Sequence, residues 1–129
     1  MFALTTGYCY YMYREPTDMR KSFRGLGGLI RAQLRRNATS GEVFIFVNRR
    51  KDMVKLLRFE DDGFIIYHKR LEKGTFELPE FDALKNTCTM SWTELVMMIQ
   101  GVSPKKVYQR KRYSVFDGFQ QSSYIGVNN

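Results

Sequence analysis

Of the 129 residues, only His68 titrates near neutrality, so general acid or base chemistry has a single obvious candidate. It closes a β-rich run beside Lys69 and Arg70, cations that disfavour its protonated form, and it reads as a solvated strand-end side chain. Glu60, Asp61 and Asp62 offer oxygen ligands for a divalent cation, but three adjacent carboxylates in a tight hairpin do not converge on one ion. The sequence has neither a P-loop nor a nucleophile elbow. The cluster Gly25-Leu26-Gly27-Gly28 lies inside a helix-like pattern instead of between strand and helix. These residues predict no catalytic centre, no metal and no cofactor.

The cations are more informative. Arg49, Arg50 and Lys51 sit in a short polar linker between two apolar runs, the place for a hairpin tip whose side chains reach outward to phosphates. In an antiparallel arrangement Lys69 and Arg70 return to the same edge of the sheet. Arg14 at the end of the first run, with Arg20 and Lys21 at the start of a helix, extends this into one basic surface suited to nucleic acid.

Those positions depend on the elements around them. Tyr8–Tyr13 is an aromatic run ended by Pro16 and predicts a short first strand or an edge strand. Asp18 stands as an N-cap before Met19, Phe23, Leu26, Ile30 and Leu34, spaced as one face of a helix, with Arg20, Lys21, Arg24, Arg31 and Arg35 opposite. Glycines at 25, 27 and 28 weaken that helix and suggest local irregularity or close approach of another backbone. Three β-rich runs follow: Val43–Val47, Met53–Phe59 and Phe64–Tyr67. Their short linkers, the second ending in Asp62-Gly63, predict an antiparallel meander, with Glu72–Leu78 as a fourth, edge-like strand and Glu80–Thr89 as loop. Ser91-Trp92-Thr93-Glu94 has the form of a capping box, opening a short helix stopped by Gly101. The expected fold class is therefore α+β: about four antiparallel strands, one longer amphipathic helix packed on them, and a short C-terminal helix.

Composition sets the bounds. Hydrophobic residues make up 43% and aromatics 15%, enough for one core, so residues 1–102 read as a single α+β domain and 103–129 as a basic, flexible tail. The net charge of +8 divides equally: 16 basic and 12 acidic residues before 103, five and one after. No run of about 18 apolar residues predicts a membrane span, and the first residues lack the form of a signal peptide. Cys9 and Cys88, far apart and without a CxxC pair, read as buried thiols of a reducing cytoplasm.

Three ordered blocks then carry a resemblance. Pro16-Thr17-Asp18-Met19-Arg20-Lys21, with Gly25-Leu26, is followed by Phe44-Ile45-Phe46-Val47-Asn48-Arg49-Arg50-Lys51-Asp52 with Lys55-Leu56-Leu57, and then by Asp62 to Phe76. Over about residues 14–102 the chain resembles the TnpB-type second accessory protein of insertion sequences of the IS-sixty-six type. The resemblance implies a small bacterial protein that assists transposition without catalytic residues, the cutting and joining belonging to a separate transposase. It adds Lys55 to the basic set of Arg14, Arg20, Lys21, Arg49, Arg50, Lys51, Lys69 and Arg70, and it makes DNA and the transposase the expected partners. A protein-only adaptor docking on an acidic partner is the alternative, with a metal-dependent nuclease a remote third. Asp18 and Asp52 are read as structural, an N-cap and a turn acceptor.

Overall fold

The structure, a computed structural model, describes residues 7–101. The tail expected at 103–129 lies outside the described residues. Five strands form one mixed sheet: β1 (Tyr10–Tyr13), β2 (Val43–Val47), β3 (Met53–Glu60), β4 (Gly63–Arg70) and β5 (Thr87–Met90), in the spatial order β4-β3-β2-β1-β5. The α+β class and the β2-β3-β4 meander stand as expected.

Three other expectations are corrected. β1 is an interior strand, parallel to β2, because the intervening helix carries the chain back to the end of the sheet where β1 began. Residues Glu72–Leu78 form no strand. Gly74 takes φ of +81° and breaks extension there, while Phe76 drops into the core as the chain crosses the sheet. The second edge is instead Thr87–Met90, inside the stretch expected to be loop, antiparallel to β1.

Both faces of the sheet are covered. On one, Tyr10, Met12, Val43, Ile45, Val47, Val54 and Leu56 pack with Phe76 and with Leu95, Met98 and Ile99 of α2 (Trp92–Gln100). On the other, Tyr13, Phe44, Phe46 and Leu57 pack with Leu26, Ile30 and Leu34 of the long helix. That two-sided burial explains why β2 reads as an unbroken apolar run.

The long helix comprises α1 (Phe23–Leu29) and a π-helical turn, Ile30–Leu34, ended by Arg35 at φ +55°. It begins four residues later than Met19, with Ser22 at the N-cap position but its side chain making no cap hydrogen bond, and so Asp18 is not its N-cap. The Asp18 carboxylate instead accepts the Arg20 backbone N–H in a turn of its own. Of the two readings offered for the glycines, irregularity holds, because the helix loosens into the π turn just beyond them; close approach of another backbone does not, because a Cβ at Gly27 or Gly28 would meet nothing within 4 Å and one at Gly25 would meet the Lys21 side chain at 3.1 Å. In α2 the expected capping box is present in both directions between Ser91 and Glu94, and Gly101 ends the helix at φ +84°.

Candidate nucleic-acid interface

The β2–β3 connection is built on Asn48. Its backbone N–H donates to the Met53 carbonyl, and its own carbonyl accepts from Lys51. The side-chain Oδ1 accepts the backbone N–H groups of Asp52 and Met53, both at 3.0 Å, while Nδ2 donates to Asp52 Oδ1 at 2.6 Å. Asp52 is thus the turn acceptor expected of it. Lys51 occupies the left-handed region at φ +62°, and its carbonyl accepts the N–H of Phe76, a core residue. Leu71 N–H donates to the Asp52 carbonyl. The backbone of this tip is therefore pinned from two sides. Arg49, Arg50 and Lys51 project from it exposed, and their side chains take no hydrogen bond or ion pair among the described residues.

Strand directions bring most of the other predicted cations to the same end of the sheet. Arg14 follows β1, whose parallel pairing places its last residues beside the end of β2, and Thr17 N–H donates to the Val47 carbonyl at 2.9 Å. Arg70 lies opposite Met53. Lys21 and Arg20 enter the helix there. Their charges are not equally available, however. Arg14 is turned onto the Ala83 carbonyl at 3.0 Å. Arg20 forms a 2.7 Å ion pair with Asp18, whose carboxyl is held down to about 2, first by the guanidinium hydrogen bonds and then by the Arg20 backbone N–H. Arg70 pairs with Glu72 at 3.2 Å.

Two members of the predicted set do not lie on this surface. Lys55 is 7% exposed, and its ammonium donates to the Lys21 carbonyl at 2.7 Å beneath the start of the helix. Lys69, adjacent to Arg70, projects to the opposite face because successive strand residues alternate, and it donates to the Ile99 carbonyl at the end of α2. Both act as cationic pins between the sheet and a helix.

Phe23 was expected on the buried face of the helix, but it is 48% exposed beside Arg20, Lys21 and Arg24. The signal available for that was its place in the first turn, ahead of Leu26, where the core contacts begin. Arg24, Arg31 and Arg35 continue exposed along the helix. Elsewhere arginines serve the fold: Arg36 pairs with Glu42 at 2.7 Å and stacks over Tyr11, and Arg58 stacks over Tyr8.

Catalytic arrangements find little support. His68 is held below its ordinary pKa by partial burial and then by Lys55 and Arg70. Its cross-strand neighbour is Lys55, so the cation expected from Lys69 comes from across the sheet instead. Among the described residues no group of His, Cys, Asp and Glu is arranged to hold a metal ion, and the two cysteines, expected to be buried, are free thiols with Cys9 exposed and Cys88 half-buried. Asp61 and Asp62 form the tip of the β3–β4 hairpin, with Glu60 opposite Gly63; the turn is centred one residue before the Asp-Gly pair. A groove of about 390 Å³ between α2, β5 and residues 77–80 has a floor of Met90, Met97 and Met98 and carries Glu77, Glu80 and Glu94, a lining that repels phosphate. No helix among the described residues is long and apolar enough to cross a membrane.

Comparison with known proteins decides the family. The profile described as IS66 Orf2 like protein matches residues 8–109, most of the chain. This chain belongs to the IS66 Orf2-like family. It is thereby placed among the insertion-sequence accessory proteins, a non-catalytic family. Two curated relatives come from Sinorhizobium fredii (strain NBRC 101917 / NGR234). The uncharacterized protein y4jC is 26% identical over 96 residues, covering 74% of this chain and 80% of the relative. The uncharacterized protein y4hO is 27% identical over 86 residues, covering 67% and 73%. No solved structure matches.

Proposed function

We propose that this IS66 Orf2-like protein assists transposition by holding nucleic acid against the end of its sheet that carries the Arg49-Arg50-Lys51 tip, while the transposase of the same element does the chemistry. One observation carries the reading: three adjacent cations stand exposed on a backbone clamped by Asn48, and the described part of the fold makes no use of their charges. A rigid pedestal of this kind lowers the ordering cost of a phosphate contact. Phe23, exposed among Arg20, Lys21 and Arg24, supplies a flat apolar ring beside the same surface.

The residues that carry the family resemblance sort the same way. Asn48 and Asp52 build the turn, Lys55 pins the helix, Asp18 folds the approach to it, and Leu26, Phe44, Phe46 and Phe76 fill the core. Arg49 and Arg50 have no such work in the fold.

The test is binding of the full chain to a duplex bearing the element's terminal repeat and to a scrambled duplex, across a salt series. The triple variant Arg49→Ala, Arg50→Ala, Lys51→Ala is run beside it. If the tip contacts three phosphates, the slope of log affinity against log salt falls by about 2.7 in the variant, roughly 0.9 per contact. An unchanged slope and affinity refute the assignment. Preference for the repeat makes the protein a reader of element DNA; equal or absent binding turns attention to an acidic surface of the transposase.

A further inference from the structure

β4 forms one edge of the sheet. Its ladder with β3 runs without a bulge from Glu60 opposite Gly63 to Met53 opposite Arg70. Leu71 N–H donates to the Asp52 carbonyl one step beyond that last pair, which fixes the parity. Odd-numbered residues of β4 hydrogen-bond to β3, and Phe64, Ile66, His68 and Arg70 turn their N–H and C=O groups outward. No described strand lies on that side. An edge of this length is ordinarily blunted by a proline, a bulge or a mid-strand lysine, yet its centre is Phe64-Ile65-Ile66-Tyr67, all half-buried and none charged. Phe64 is held edge-on by Phe59, with ring centroids 5.0 Å apart.

We propose that this edge pairs with the same edge of a second copy, antiparallel, about a two-fold axis at Ile66, joining two five-stranded sheets into one of ten strands. Charge selects the occupant. The strand has the acidic turn Glu60-Asp61-Asp62 at one end and His68-Lys69-Arg70 at the other, so antiparallel self-pairing sets acid against base at both ends. Geometry selects the register. With Ile66 on the axis, Asp62 faces the partner's Arg70, Phe64 faces the partner's His68, and on the opposite sheet face Ile65 meets the partner's Tyr67. A slip of two residues one way sets Arg70 opposite the partner's Phe64; the other way it carries Arg70 past the hairpin turn. Because such an axis stands perpendicular to the sheet, each copy's helix-covered faces stay on the same side, and both apolar layers continue across the junction. The pairing draws on neither the Arg49-Arg50-Lys51 tip nor any reading of its role.

Sedimentation equilibrium of the full chain tests this. The wild type is expected to dimerise reversibly. Asp62→Arg and Arg70→Asp, both at exposed positions, each turn two symmetry-related attractions into repulsions and weaken the dimer about tenfold. Mixing the two single variants restores association as a heterodimer, and the double variant restores the homodimer; neither rescue follows from a loss of folding. In the dimer the Phe64, Ile66 and His68 amides exchange slowly. A monomeric wild type overturns the proposal, whether those amides are fast, from an open edge, or slow, from an edge covered by residues 102–129. A dimer indifferent to the charge reversals overturns it too, by assigning association to another surface.

Discussion

Replacing Lys55 distinguishes a structural pin from a phosphate contact. The ammonium is buried and spends its charge on the Lys21 carbonyl, 2.7 Å away, which ties the middle of β3 to the entry of the long helix. A hydrogen bond from a charged donor contributes about 1.5–3 kcal/mol. Lys55→Met removes it but keeps most of the aliphatic stem and relieves the ammonium of desolvation, leaving a net loss of about 1 kcal/mol. Lys55→Ala also strips three buried methylenes at about 0.8 kcal/mol each, for a total of about 3 kcal/mol. At about 4–8 °C per kcal/mol for a domain of this size, the methionine variant melts a few degrees low and the alanine variant more than 10 °C low. Circular dichroism measures both. Two further readouts separate the roles. His68, facing Lys55 across the ladder, is held down in part by that cation, so its pKa rises toward the ordinary value in Lys55→Met, as NMR titration would show. Nucleic-acid affinity, measured well below the melting temperature, stays at the wild-type level. A methionine variant of unchanged stability that lost as much affinity as the tip variant would refute the pin and return Lys55 to the binding surface.

Asn48→Ala removes the acceptor of two backbone N–H groups and a donor to Asp52, so chemical denaturation should show a loss of about 2 kcal/mol, with weaker nucleic-acid binding because the tip loses its clamp. The Asp18 carboxyl should titrate at about 2 by NMR, well below an ordinary carboxylate, and rise only part of the way toward the ordinary range in Arg20→Ala, which removes the guanidinium but keeps the backbone N–H. A depressed carboxylate contributes stability that is present above its unfolded pKa and lost as pH falls through about 2, so this pair does not account for any loss of stability between pH 5 and 7.

Local chemistry was legible where it was sufficient. The capping box at Ser91 and Glu94, the stop at Gly101 and the three meander runs all depend on neighbours within a few residues, and all are found. Asp18 misled because the same side chain that caps a helix also closes a turn, and Arg20, two residues on, offered both a backbone N–H and a guanidinium. β5 was invisible because Thr87-Cys88-Thr89-Met90 is short, and pairing with β1, more than seventy residues away, defines it. The parallel pairing of β1 and β2 had a signal in the order strand, helix, strand, the arrangement that lets parallel neighbours connect. Lys55 shows the limit of reading charge from sequence: a lysine at an inward position of a strand has the same letter as one in solvent.

That limit bears on the net charge of +8. Lys55 and Lys69 are consumed as pins, Arg36 and Arg58 are held by carboxylates and rings, and Arg20 and Arg70 are paired at the surface. The charge therefore overstates the binding surface, and two extents remain in contention. One is the Arg49-Arg50-Lys51 tip alone; the other adds the exposed helix arginines Arg24, Arg31 and Arg35. Three phosphate contacts give a salt slope of about −2.7 and six about −5.4, a difference well within reach of the same titration. A shallow slope that disappears in the tip variant confines nucleic acid to the end of the sheet. A steep slope that only halves runs it along the helix as well, past Phe23, and brings a whole face of the molecule into contact.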